Sequence, residues 1–173
     1  MTFETLSQAL TIPAMQAFVN DNAWVWPVCE MIHYVGMSLV VGLIGTLDLR
    51  ILGFFRRMPV GALEPFVPLA VAGFLGNLAT GIIFVTGTAS GAEFYVDNLS
   101  FQLKLLSLLV AGLNLVIFRL TGLEKAVYAV PARGDAPPAA KFIAVLSLLA
   151  WGFTIFFGRL LMYNDTLLLF LGM

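Results

Sequence analysis

The sequence predicts an all-α integral membrane protein, a four-helix bundle with short interfacial helices at its N-terminus. Three observations predict it. The 173 residues are 60% hydrophobic and 11% charged, with mean hydropathy +0.96, whereas soluble domains are about 45–50% apolar and about 25% charged. Four apolar segments are each long enough to cross about 30 Å of hydrocarbon as a helix. Basic residues gather in alternate connections between them, the pattern that orients membrane helices.

Residues 1–23 read as an outer interfacial segment of two short amphipathic pieces, "TFETLSQAL" and "TIPAMQAFVN", the second with Thr11 as N-cap and Pro13 close behind. They contain no Lys or Arg, and the apolar run begins only near Trp24, so the N-terminus is expected to be retained. Residues 24–163 hold the bundle, with spans at about 25–47, 66–86, 101–120 and 142–163. Helices are required because a lipid-facing span must satisfy its own backbone groups. "VPARGDAPPAA", Val130 to Ala140, reads as a flexible Pro/Gly/Ala-rich loop. Residues 164–173 form an apolar tail, too short to span, suited to the interface or to a partner. "GTLDLRILG" and "NLVIFRLTG" align Arg50 and Gly53 with Arg119 and Gly122, a match that two helix ends at one membrane face produce without an ancestral repeat.

Arg50, Arg56 and Arg57 follow the first span, and Arg119, Lys125, Arg133 and Lys141 flank the connection between the third and fourth. The loop with Glu93 and Asp97 has no base. Both basic loops are therefore expected inside and both termini outside, in a bacterial inner membrane. Trp24, Trp26, Tyr95 and Tyr163 suit an outer aromatic belt. The nine Lys and Arg are spread over several loops, which gives no nucleic-acid surface. One cysteine excludes an intrachain disulfide.

The candidate site comes from the charges inside the spans. Glu30, Lys104 and Arg159 each fall about six residues, roughly 9 Å, outward of the middle of their helix. His33, the only histidine, sits a turn deeper on the Glu30 face. Asn77 and Asn114 lie on the predicted inward faces, with Gly73, Thr80 or Gly81 beside the first and Ser107 and Ala111 beside the second. A charge in hydrocarbon costs about 2.5–3.5 kcal/mol on insertion scales, so three at one depth are expected to face one another. Three readings stay open: Lys104 and Arg159 snorkel to headgroups, Glu30 pairs with one of them as a clamp, or the cluster is a ligand pocket.

As a pocket, it suits heme b with His33 as an axial ligand to iron and Lys104 or Arg159 on the propionates, or a quinone, whose protons a His and a carboxylate can move. One histidine cannot supply two axial ligands, so heme would need Met37, a second chain or an open position. Cys29, His33 and Met37 at four-residue spacing offer a copper(I) set, although Cys and Met are common apolar filler. No nucleophile triad, phosphate loop or zinc motif is visible.

These residues also carry a resemblance. "WPVCEMIHYVGMSLVVGLIGTLDLRILG", "FYVDNLSFQLKLLSLLVAGLN" and "WGFTIFFGRLLMY" resemble a family of small four-span bacterial membrane proteins known only as a domain of unknown function. Its pattern is Trp and Pro opening the first span, then Glu-x-x-His-x-x-Gly and Asp-x-Arg-x-x-Gly. Asn-x-x-Phe-x-x-Lys leads into the third span with an Asn deeper, and Gly-Arg-x-x-x-Tyr closes the fourth. Glu30, His33, Gly36, Asp48, Arg50, Gly53, Asn98, Phe101, Lys104, Asn114, Gly158, Arg159 and Tyr163 match it, over nearly the whole chain. Cys29 does not belong to it. The resemblance implies the four-span fold and marks the same pocket, with no activity attached.

The leading expectation is a heme- or quinone-linked redox membrane subunit, because a carboxylate, an imidazole and two cations converge at one depth. The alternatives are a cofactor-free accessory subunit of a larger membrane complex and a carrier of a small solute, proton or metal. Four spans make a thin wall for a pore, so a carrier requires a homo-oligomer.

Overall fold

A computed structural model describes residues 3–172. They are mostly helical, with no strand among the described residues. The helices are α1 (Phe3–Leu10), α2 (Pro13–Asp21), α3 (Val25–Leu52), α4 (Val67–Gly87), α5 (Glu93–Val96), α6 (Leu99–Leu120), α7 (Leu123–Tyr128), α8 (Pro138–Leu160) and α9 (Asn164–Leu171), with 3-10 turns at Val60–Phe66 and Leu161–Tyr163. α3, α4, α6 and α8 are long and apolar enough to cross a membrane, which makes the chain a multi-pass membrane protein. Four antiparallel spans put both termini and the α4–α6 connection at one end, the terminal end. The connections bearing Arg56 and Arg133 lie at the other, the basic end.

α3 is the organising helix, packed against both α4 and α8, and α8 in turn packs against α6. Glycine sets the α3–α4 distance. A Cβ at Gly36 would stand 2.5 Å from the Gly73 carbonyl oxygen, and one at Gly73 would stand 2.8 Å from the Gly36 oxygen. Only bare backbone permits that approach, the small-residue packing that membrane helices use in place of a hydrophobic driving force. Large apolar residues such as Leu75, Leu78, Ile82, Leu109, Leu113, Phe142 and Leu149 stay exposed, as lipid-facing positions should.

The first span is longer than hydropathy suggests. α3 runs on to Leu52 and stops at Gly53, whose φ of +104° suits glycine and whose N–H caps the helix on the Arg50 carbonyl. Gly122 ends the α6 segment with φ +74°. The Arg residues aligned by sequence diverge: Arg119 lies exposed beside Glu124 at 3.6 Å, while Arg50 is completely buried.

That burial corrects the expected flexible loop. Arg50 Nε donates to the Met58 carbonyl at 2.6 Å, and its terminal nitrogens donate to the Pro131 and Gly134 carbonyls at 3.1–3.5 Å. The Val60 N–H adds a bond to the Val130 carbonyl at 3.2 Å. Asp135 sits between Arg56 and Lys141, at 2.9 Å from each. Val60, Val127, Val130, Ala136, Ala140 and Ala144 close over Leu47 and Ile51 as the main core cluster. Prolines here restrict a loop that already has donors for its carbonyls.

At the terminal end, α1 packs on α5 and α2 on α4. Thr11 caps no helix: Ile12 holds the N-cap position, and the Thr11 hydroxyl accepts from the Ala92 N–H at 3.1 Å. Gln16 Nε2 donates to the Thr88 carbonyl at 2.8 Å. The N-terminal segment is therefore docked on protein as well as amphipathic. Asn98 caps α6 through Phe101 N–H and ties it to the end of α8, donating to the Leu161 carbonyl at 2.9 Å.

Candidate functional site

The polar residues of the terminal half are held by α3, α4 and α6. His33 is half-buried, and its Nδ1 lies 2.8 Å from Thr80 Oγ1. The Thr80 hydroxyl has one proton, and the Gly76 carbonyl stands 2.8 Å away to receive it in the usual back-bond of a helical threonine. Thr80 Oγ1 is then an acceptor toward His33, so Nδ1 carries the hydrogen and Nε2 keeps its lone pair. The Asn77 backbone carbonyl, another acceptor, also faces the ring. Phe84 stacks at a tilt on both Trp26 and His33, with centroids 4.9 and 5.5 Å apart. It supplies an apolar wall.

Asn77, predicted to face inward, does so. Its Nδ2 donates to the Gly73 carbonyl at 3.2 Å, while its buried Oδ1 has no partner. Lys104 approaches from α6, close enough for its charge to act on the His33 ring. Its stem runs over the bare backbone of Gly158, whose missing Cβ would lie 3.7 Å from Lys104 Cδ, Cε and Nζ. The glycine of the Gly-Arg pair thus makes room for the lysine.

Glu30 forms no ion pair with Lys104 or Arg159. Its Oε1 accepts from Trp26 Nε1 at 3.1 Å on an exposed face, and its charge reaches Tyr95. Burial pushes the Tyr95 phenol up, and the Glu30 carboxylate adds to that. Arg159 is exposed and lies 6.0 Å over the Tyr163 ring, a cation–π arrangement. Asn114 is not near this group. It lies ten residues along α6 from Lys104, about 15 Å, where Nδ2 donates to the Ile143 carbonyl at 3.0 Å and fastens α6 to α8. Of the six predicted site residues, His33, Asn77 and Lys104 converge, Glu30 borders them, and Arg159 and Asn114 stand apart.

Cys29 is packed with Val19 and Val25 in a small apolar cluster, so its side chain is spent on packing. No group of three His, Cys, Asp or Glu side chains is gathered for a metal among the described residues. For heme, His33 offers Nε2, but Met37 is four residues along the same helix and shares its side. The two cannot bracket a macrocycle, so this pair does not hold a bis-ligated heme.

Sequence reasoning missed three features. Thr80 as the partner that fixes the His33 tautomer was visible only as one of two candidates on a stripe. Trp26 as the Glu30 donor was signalled by its i, i+4 spacing. The burial of Arg50 had no local signal, because a basic residue after a span reads as a loop charge. Comparison with known protein families, curated proteins and solved structures gives no match.

Proposed function

We propose that the chain is a redox membrane subunit that receives a lipid-soluble quinone at the terminal end, between His33 on α3 and Lys104 on α6. The observation that carries this reading is the His33–Thr80 contact. It leaves an oriented Nε2 acceptor within the field of an ammonium group that has no carboxylate partner within 4 Å among the described residues. A quinone supplies two-electron, two-proton exchange when bound. His33 Nε2 would accept a proton from a bound hydroxyl, and Thr80 would hold the ring in place as it does so. Lys104 would donate to a carbonyl oxygen, an interaction strengthened by the apolar surroundings. Phe84 and Trp26 would line the ring slot.

The reading extends to placement and family. The chain belongs with the small four-span bacterial family it resembles, in the inner membrane, with both termini outside. The asymmetry of basic residues supports that orientation. Impermeant thiol labelling of single cysteines at Ser90 and Asp135 tests it, and labelling of position 135 but not position 90 from outside the cell would reverse it.

Binding is tested by Trp fluorescence quenching with a short-chain quinone in detergent, together with quinone extraction and a reduced-minus-oxidised absorption spectrum. Saturable quenching is expected in the wild type, lost in His33→Ala and weakened at least tenfold in Thr80→Val, while each variant stays folded. Equal quenching in all three proteins would overturn the quinone reading. A heme spectrum from the purified protein would replace quinone by heme.

A second reading has one specific support. α9 exposes Leu169, Phe170 and Leu171, Phe170 at 86%, and is fastened near its start, where Asn164 Oδ1 accepts from the Ser100 N–H at 3.3 Å. An accessory subunit that lays this helix on a larger complex would use such a surface, and purification with native partners and no quinone would favour it.

A further inference from the structure

The basic half of the bundle holds a carboxyl that the quinone reading does not use. Asp48 lies in the last turns of α3, four residues before Leu52, about 6 Å of helical rise. It is 5% exposed, and its Oδ2 has no hydrogen-bond partner. Its neighbours in sequence, Leu47 and Ile51, belong to the main apolar cluster, as do Ala140 and Ala144 on the facing stretch of α8. Ser147 of α8 is the polar side chain that faces it.

Among the described residues, no cation forms an ion pair with it. Arg50, two residues on, is committed to the carbonyls of Met58, Pro131 and Gly134. On α8, Lys141 is paired with Asp135 at 2.9 Å, and Arg159 is at the opposite end, over Tyr163. α4 contains no charged residue, and the 3-10 turn contributes only Glu64, itself an acid and exposed. An unpaired carboxylate in such a place costs several kcal/mol, and a protein avoids that cost by keeping the group neutral. A bound monovalent metal ion would need several ligands, and no group of three His, Cys, Asp or Glu side chains is gathered for one among the described residues.

We propose that Asp48 is a proton-binding site: a carboxylic acid that holds its proton at neutral pH and exchanges it with water at the basic end of the bundle. The site is independent of His33, which lies fifteen residues back along α3, about 22 Å, so neither proposal stands or falls with the other. The fold keeps the acid near the helix end, and 5% residual exposure contrasts with the fully sealed Arg50.

Infrared spectra of the whole protein in bilayers at neutral pH test both halves of the statement. A protonated-carboxyl stretch is expected in the wild type, absent from Asp48→Asn, and shifted within minutes of transfer to heavy water. A spectrum in which Asp48→Asn removes only carboxylate bands would overturn the proposal. A protonated band that resists heavy water for hours would overturn the exchange. Labelling by a hydrophobic carbodiimide is the second measurement. One adduct, mapped to Asp48 and undiminished by sodium, is expected. Protection by sodium would make the site a metal-ion site instead and sink the proton reading.

Discussion

Arg50 at one end of this bundle and His33 with Lys104 at the other use polarity in opposite ways. At the basic end, Arg50 is sealed and each of its guanidinium nitrogens donates, with three carbonyls around the group. At the terminal end, His33 and Lys104 are only half-buried, Glu30 and Arg159 are exposed, and the bonds they make leave capacity unused. A side chain whose every donor is satisfied fixes structure. A side chain held by one edge and open at the other can meet a ligand. The comparison teaches that depth along a helix does not identify a site; the state of the bonds does.

The largest effect is expected from breaking the basic end. Arg50→Ala leaves the Met58, Pro131 and Gly134 carbonyls without their donor. Each buried orphan costs about 1–3 kcal/mol, against a total stability of about 5–15 kcal/mol. Thermal unfolding in detergent should drop steeply, or the protein should fail to accumulate. Arg50→Lys should rescue only part, because an ammonium cannot reach all three carbonyls with the fork geometry of a guanidinium. A wild-type melting curve for Arg50→Ala would mean that the loop is held by something else.

Next comes the seam that joins the two ends. Gly36→Ala puts a Cβ 2.5 Å from a backbone oxygen and 2.7 Å from Asn77 Nδ2. Neither helix backbone can yield cheaply, so α3 and α4 must separate, at a cost of about 1–3 kcal/mol. The His33–Thr80 bond crosses the same seam one turn away. Gly36→Ala should therefore weaken quinone quenching more than its loss of stability accounts for. Retained quenching with a lowered melting temperature would show that the site does not depend on that helix distance.

These contrasts also show what the sequence could and could not convey. Four spans and their order follow from hydropathy and helical spacing, because both are properties of single helices. The terminal-end charges were expected to pair at one depth, but pairing depends on which way each helix is turned. Glu30 turns toward Trp26, its neighbour at i−4, and forms no ion pair with Lys104. Asn114 shares a stripe with Lys104, yet ten residues of rise carry it to another layer. Arg50 illustrates the remainder: its acceptors are residues 58, 131 and 134, and no local pattern links positions so far apart in the chain.

Glu30 gives a smaller effect that sharpens the contrast. As half of a buried ion pair, Glu30→Gln would cost several kcal/mol. With its oxygen on Trp26 at 3.1 Å on an exposed face, the amide keeps the same acceptor, and the change should stay within about 0.5 kcal/mol. Thermal unfolding measures this directly. A large loss would mean that the carboxylate reaches a cation in the membrane.

The smallest effect concerns Asp135, on the loop that Arg50 holds. Lys141 and then Arg56, both within hydrogen-bond reach, hold its carboxyl below the usual range. A folded-state value below the unfolded one means that the ionised form favours the fold. Its contribution is complete above the ordinary carboxylate range and disappears as pH falls through the lowered folded value. Exposed pairs are screened and weak, so the difference between wild type and Asp135→Asn should be small at neutral pH. It should vanish in acid, and it should shrink with added salt as the screening length shortens. The Arg50 bonds carry no such dependence, since a guanidinium and three carbonyls do not titrate in that range and no salt reaches them. Loop protection from proteolysis, followed against pH and salt in Arg50→Lys and Asp135→Asn, separates the two. If acid or salt releases the loop in the wild type, the surface ion pairs hold it and the buried arginine does not.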